Sequence, residues 1–445
     1  MKIAKVFLLS LILSITIFAQ NDNASEKDKN ITFRASGDLT LSPYGKVING
    51  WETVDNRPQG SGEPKYEKQK FDDYEITFLS EYAYNLMLGF DVKDKFSFDI
   101  RISNPNGYEA DLIPFGGGTA KGWNPLKEDE NGDHPYLPTL PNAYFTWKTN
   151  NVYIYGGLLE VKGNTTLDLS AGLETGNGLY TSDANWGTIF NNSQAGVKFG
   201  FDFSKNFALN LTAGFPSNSN EYNIELPQGN DLRFILDANI NAGNFTISPV
   251  AHARVLRNIY LTYDKESGYD NFRNAIFHSY GLDAGFEFGN AFKLDIGAAA
   301  GNIVLYKQEY YEILPDGNNG ELLATEREKM FGFLAKAAPS LTFGINEASV
   351  SYSFGLLRYK ESEIIYENGN YNKTNYLFYY NDLFASWHFR FNDYVAFGPM
   401  FAWTSNTYKL KLDYKIGDDT KKEIDESSPV GINVFRFGME FVANF

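Results

Sequence analysis

The sequence contains no cysteine, so neither disulfides nor a thiolate metal site can organise it. It has only four histidines, His134, His252, His278 and His388, and none falls in an HExxH pattern, so no zinc-hydrolase signature is present. A GxSxG elbow is missing. Gly116-Gly117-Gly118 lacks the strand-to-helix setting and the following lysine of a phosphate loop. Cations are outnumbered, 39 Lys+Arg against 55 Asp+Glu, and a net charge of -16 would leave nucleic-acid phosphates unneutralised, which argues against such a partner. After the first twenty residues no stretch approaches the ~18 consecutive apolar residues of a transmembrane helix. No catalytic residue, cofactor or metal ligand set is implied, and the chain does not read as an enzyme.

What is present begins with an export signal. Lys2 and Lys5 precede an apolar run from Val6 to Phe18, interrupted only by Ser10, Ser14 and Thr16, and Ala19 supplies a small residue at the cleavage point. Residues 1–19 are expected to be a signal peptide, 20–30 a short polar lead, and 31–445 a single domain. That domain is rich in aromatics (Phe 37, Tyr 29) and glycine (40), yet its mean hydropathy is negative, so its apolar residues must be scattered rather than gathered in runs.

They are scattered with period two. In 74–91 one face reads Tyr74, Ile76, Phe78, Ser80, Tyr82, Tyr84, Leu86, Leu88 and Phe90. In 195–203 it reads Ala195, Val197, Phe199, Phe201 and Phe203, against Gly196, Lys198, Gly200 and Asp202. Successive side chains of a strand point to opposite faces, so such runs have one apolar and one polar wall. Sixteen are expected: 33–44, 74–91, 94–104, 142–148, 151–162, 194–203, 206–215, 231–242, 244–257, 277–288, 291–306, 331–344, 346–360, 377–391, 394–409 and 430–445. Seven pairs are joined by tight Asn-, Asp- or Gly-containing turns such as Lys93-Asp94-Lys95, Gly243-Asn244 and Gly289-Asn290, residues that tolerate left-handed backbone. The other eight connections are long. Short turns on one side, long loops on the other and aromatics beside the turns (Phe90 and Phe96, Phe203 and Phe207, Phe288 and Phe292) predict a closed antiparallel transmembrane β-barrel of about sixteen strands.

The last run is the most specific. Phe435, Phe437, Met439, Phe441, Ala443 and Phe445 share one face. This resembles the terminal strand of bacterial outer-membrane proteins, in which an alternating apolar face ending in an aromatic is read by the barrel-insertion machinery. The resemblance implies that role for Phe437, Phe441 and Phe445, and an outer-membrane location. The sixteen-strand plan with a long third loop resembles general porins. It implies passive diffusion of small hydrophilic solutes and ions, outer-membrane lipid as surroundings, and homotrimers by analogy.

If the apolar wall faces lipid, the polar wall lines a pore, with inward residues including Asp99, Arg101, Lys198, Asp202, Arg233, Asp237, His252, Arg254, Asp283 and Lys336. The third long connection, 163–192, carries Asp168, Glu174 and Asp183 and no cation. In porins the equivalent loop folds inward, so an acidic constriction opposite Arg101, Arg233 and Arg254 is expected, with weak ion selectivity. The loop Lys411–Ser428 is expected to be a solvated hairpin tip rather than a cation site. Two rivals keep the barrel and change the function. A transporter for hydrophobic substrates needs an apolar internal pocket, and a surface adhesin or antigen needs a blocked lumen. An outer-membrane phospholipase would need serine and histidine together on the outer wall, and His278, Ser279 and Ser386 are the residues to inspect.

Overall fold

The computed structural model describes residues 31–55, 66–93, 95–103, 139–160, 164–167, 169, 193–216, 231–260, 272–289, 291–313, 319–366, 370–416 and 419–444. Among them sixteen antiparallel strands close into one barrel, each paired with its neighbours in sequence. The elements are β1 (Ile31–Asp55), β2 (Tyr66–Val92), β3 (Phe96–Ser103), β4 (Thr139–Lys148), β5 (Val152–Glu160), β6 (Ser193–Ser204), β7 (Phe207–Pro216), β8 (Asp231–Asn241), β9 (Phe245–Tyr260), β10 (Phe272–Phe288), β11 (Phe292–Ile313), β12 (Asn319–Phe343), β13 (Asn346–Tyr366), β14 (Tyr371–Arg390), β15 (Val395–Ile416) and β16 (Asp419–Asn444). The seam is made by β1 and β16, with Leu41 opposite Phe441, Lys46 opposite Arg436 and Trp51 opposite Gly431.

The turns behave as their residues require. Gly243 and Gly289 hold φ of 69° and 62°, left-handed values that a side chain disfavours. Asn392 closes the last turn by accepting the Tyr394 and Val395 amides, both at 2.8 Å.

The outer face is apolar and exposed. Phe199, Phe201, Leu211, Phe234, Leu236, Leu282, Ile296, Phe331, Leu341 and Phe437 each show more than a third of their surface. In water so much exposed apolar area would drive association. A closed barrel with such a skin is instead the β-form able to cross a bilayer, because no backbone group is left unpaired in hydrocarbon. Rings gather at its turn-side boundary. Phe203 stacks on Phe207 at 5.2 Å, Phe96 on Phe145 at 6.1 Å, and Trp387 meets Phe343 edge-on at 5.5 Å. At the opposite boundary aromatics offer polar handles: Tyr352 donates to Asn381 at 2.8 Å and Trp403 to Asn433 at 3.3 Å. On β14 the outward face runs from Phe389 to Asn381. At ~3.3 Å per residue and a ~40° tilt that is roughly 20 Å of height, close to the ~25 Å apolar band of such barrels.

One consequence is testable on β7. Leu211 faces outward within this band, so Leu211→Arg is expected to cost about 2–4 kcal/mol of folding free energy. The inward Asn239→Arg is expected to cost far less. Reversible urea titrations of folding into lipid vesicles measure both.

Several strands overrun their expected lengths. Within the stretch 411–428, expected to be loop, residues 411–416 pair with 419–424: Leu412 sits opposite Glu423 and Lys415 opposite Thr420. β12 begins at Asn319 rather than 331, and β2 at Tyr66 rather than 74. Outside hydrocarbon both faces of a strand meet water, so the ladder continues although the apolar alternation need not. Among the described residues the overrun is one-sided. β3 to β8 have 8 to 12 residues, whereas β11 to β16, β1 and β2 have 20 to 27.

Candidate functional site

Strand register fixes what faces the lumen. Lys198 on β6 lies opposite Thr212, Thr212 opposite Ile235, and Ile235 opposite His252, which lies opposite Ser279. The next inward row runs through Gly214, Arg233, Arg254 and Phe277. Arg233 and Arg254 are therefore direct cross-strand neighbours, and both are buried. The Arg254 guanidinium lies 5.7 Å from the Phe277 ring centre. Arg101 is inward on β3, opposite Asn142, on a separate part of the wall. Asp168, Glu174 and Asp183 lie outside the described residues, as do Phe445 and residues 1–30. Phe437 and Phe441 face outward on β16, opposite Phe401 and Phe397.

Across the turn-side mouth, charged and polar side chains link strands that are adjacent or one strand apart. Arg34 reaches Asp91 at 2.6 Å and Asp99 at 2.9 Å, Arg390 pairs with Glu347, and His388 lies 2.7 Å from Glu440. The partly hydrated pairs here contribute little stability, about 0–1 kcal/mol each.

The described start of the third long connection lies against the inner wall. Asn164 accepts the Leu167 amide at 2.9 Å and so caps a short helical turn at Thr165–Leu167. The Thr165 amide donates to an Asp283 carboxylate oxygen at 3.2 Å, and its hydroxyl donates to the same carboxylate. Ser279 donates to the Thr166 carbonyl at 3.4 Å. Glycines make room for this approach: a methyl group on Gly281 would collide with the Thr166 hydroxyl, and one on Gly297 with that of Thr165. Thr165, Thr166 and Leu169 are all buried. Sequence reasoning places Asp283 on the lumen wall but not in this contact, which joins residues 118 positions apart.

The inner wall is not polar throughout, which corrects the simple assignment of apolar faces to lipid. Leu334 lies opposite Ala299 and Gly355, in the row that begins at Asp237 and passes Gly281. Leu357 pairs with Phe378, Tyr380 with Gly355, and Val434 with Thr404. All of these inward side chains are buried, Leu334 completely at 0% exposed.

Beside the Asn164–Leu167 turn a cavity of about 790 Å³ opens, walled by Tyr144, Tyr155, Lys198, Asp237, Ser248 and Lys336 among others. Charges of both signs and neutral hydrogen-bonding groups inside, hydrocarbon-facing side chains outside, and a closed ladder between them leave one architecture. The described strands form a closed sixteen-stranded antiparallel β-barrel with an apolar outer face suited to hydrocarbon. No protein-family model and no curated protein matches it. Among solved structures it is similar to OmpT of Vibrio cholerae (10% identity, TM-score 0.43, covering 94% of this chain and 99% of that one). It is also similar to the outer-membrane channel DcaP of Acinetobacter baumannii (14%, 0.42, 95% and 100%) and to an anion-selective porin from Comamonas acidovorans (10%, 0.44, 93% and 100%).

His278 meets neither Ser279 nor Ser386. Ser279 is buried on the inner wall, whereas His278 faces outward, 5.8 Å from the Tyr280 ring. Ser386 is also inward and shares a 2.7 Å hydrogen bond with Ser349. Among the described residues no three His, Cys, Asp or Glu side chains gather as a metal site.

Proposed function

We propose that the protein is a passive channel for small hydrophilic solutes and ions, narrowed by the connection 163–192. The supporting observation is the seating of Thr165 and Thr166 on Asp283, Gly281 and Gly297, which brings the start of that connection onto the inner wall. In this reading Asp168, Glu174 and Asp183 face Arg101, Arg233 and Arg254 across the narrow zone, and the transverse field orients dipolar solutes as they pass. Residues 1–19 direct export and are removed. The outward aromatics Phe437 and Phe441, with Phe445, are what the insertion machinery reads.

Purified protein in planar bilayers is expected to give ohmic conductance steps. Neutralising Asp168, Glu174 and Asp183 together is expected to lower the potassium-over-chloride permeability ratio; an unchanged ratio rejects the acidic constriction. The buried inward Leu334, Leu357 and Phe378 favour a second reading, a surface protein with a closed lumen. Electrical silence in the same bilayers would select it.

A further inference from the structure

The cavity beside the Asn164–Leu167 turn is built for more than the passage of water. We propose that it binds a neutral, polyhydroxylated solute, a short oligosaccharide, on its way through the channel. The proposal rests on the channel reading and adds the class of solute.

Size comes first. At about 790 Å³ the cavity falls within the ~300–1,000 Å³ of small-molecule sites, far larger than ion passage needs. Charge comes second. The lining carries Lys198 and Lys336 against Asp237, Asp283 and Asp295. Each acid has a partner: Asn210 donates to Asp237 at 2.6 Å, Thr165 holds Asp283, and Lys293 lies 3.2 Å from Asp295. With Lys293 counted beside Asp295, three cations stand against three acids, so these side chains leave no excess of either sign. Groups of the third kind are neutral. Asn142, Asn239, Thr212, Thr246 and Ser248 line the cavity, and each amide or hydroxyl both donates and accepts, as sugar hydroxyls do.

The last feature is aromatic. Tyr144 and Tyr155 meet edge-to-face at 5.6 Å on the β4–β5 wall, and both line the cavity. Tyr153 packs edge-on against Tyr155 at 5.7 Å and anchors its own hydroxyl on Asp202 at 2.8 Å, so the cluster is fixed in place. Tyrosine rings offer an apolar surface for the C–H face of a pyranose and a hydroxyl at the edge. A pair of tyrosine rings, a wall of amides and hydroxyls, and charges that balance once Lys293 is included together favour a sugar over an ion or a lipid.

The test uses the full-length protein in planar bilayers with maltotriose as the probe. Expected is a saturable fall in ion current, absent with polyethylene glycol of matched mass, which lowers current only in proportion to its effect on bulk conductivity. In Tyr155→Leu the half-saturating maltotriose concentration is expected to rise about tenfold, the equilibrium equivalent of one lost aromatic contact. In Tyr155→Phe it is expected to stay near the original value. Tyr144→Leu gives an independent readout if Tyr155→Leu does not fold. Ohmic steps that maltotriose reduces no more than the polymer overturn the saccharide proposal and leave the channel standing. Saturation by gluconate or choline at lower concentration than maltotriose also overturns it. An absence of steps removes both.

Discussion

Gly438→Val is expected to prevent the barrel from closing. Gly438 lies on the inner side of the seam, opposite Tyr44. A Cβ there would collide with the Pro43 carbonyl oxygen and come within 2.7 Å of the Tyr44 Cβ. The obstacle is the β1 main chain and the Tyr44 Cβ, with no flexible side-chain end to give way, and Tyr44 is itself buried beneath the Arg436 guanidinium, 5.6 Å from its ring centre. Overpacking in a tight site costs typically 1–3 kcal/mol, about the lower bound here because the obstacle is main chain. Failure of the first and last strands to pair exposes two edges to hydrocarbon, where each unpaired group costs several kcal/mol more. The measurement is the heat-dependent shift in electrophoretic mobility that separates folded from unfolded barrels. Gly438→Val is expected to run only as the unfolded form, and the outward Met439→Leu as the folded one.

Release of the interior turn is expected to have the second-largest effect. Asp283 holds Thr165 through its amide and its hydroxyl. A hydrogen bond to a charged group is worth about 1.5–3 kcal/mol, so its loss shifts the docked population by roughly tenfold or more. Asp283→Ala should therefore raise single-channel conductance and broaden its distribution. Gly297→Leu, which fills the seat of Thr165 and crowds the Asp283 carboxylate, should do the same. If both variants conduct as the parent does, the turn at Thr165 does not set the width of the pore. The two act at one contact, so their effects should not add.

Much of the wall is legible in the sequence because hydrocarbon writes a plain pattern. Phe199, Phe201 and Phe203 alternate with polar residues and glycine because one side meets lipid, and Asn392 or Gly289 marks a turn because few residues close one so tightly. That signal fades where its cause ends. Leu410, Leu412, Tyr414 and Ile416 on β15 still alternate with Lys409, Lys411, Asp413 and Lys415. Their partner Asp419–Asp425 is polar on both faces save for Ile424, so the pair reads as loop. The inward apolar patch does leave a trace. Leu356-Leu357 and Leu377-Phe378-Tyr379-Tyr380 are apolar on both faces, as strands buried on both sides are. The interior contacts are less legible. Nothing local connects Thr165 to Asp283, and the only hint is a pair of glycines, Gly281 and Gly297, at lumen-facing positions of adjacent strands. The tyrosine platform is hidden for the same reason: Tyr144 and Tyr155 become neighbours through the register of β4 and β5, and inward aromatics look like outward ones until parity is known.

The ladder runs from β1 through β16 and back to β1, so every described strand has a neighbour on each flank. A sheet without an end offers no template on which a foreign segment could crystallise, and fibril-type growth has no seed in the folded state. Copies crowded into the same membrane can recognise one another only through the relief of their side chains, and a single outward substitution can retune that contact without touching the frame.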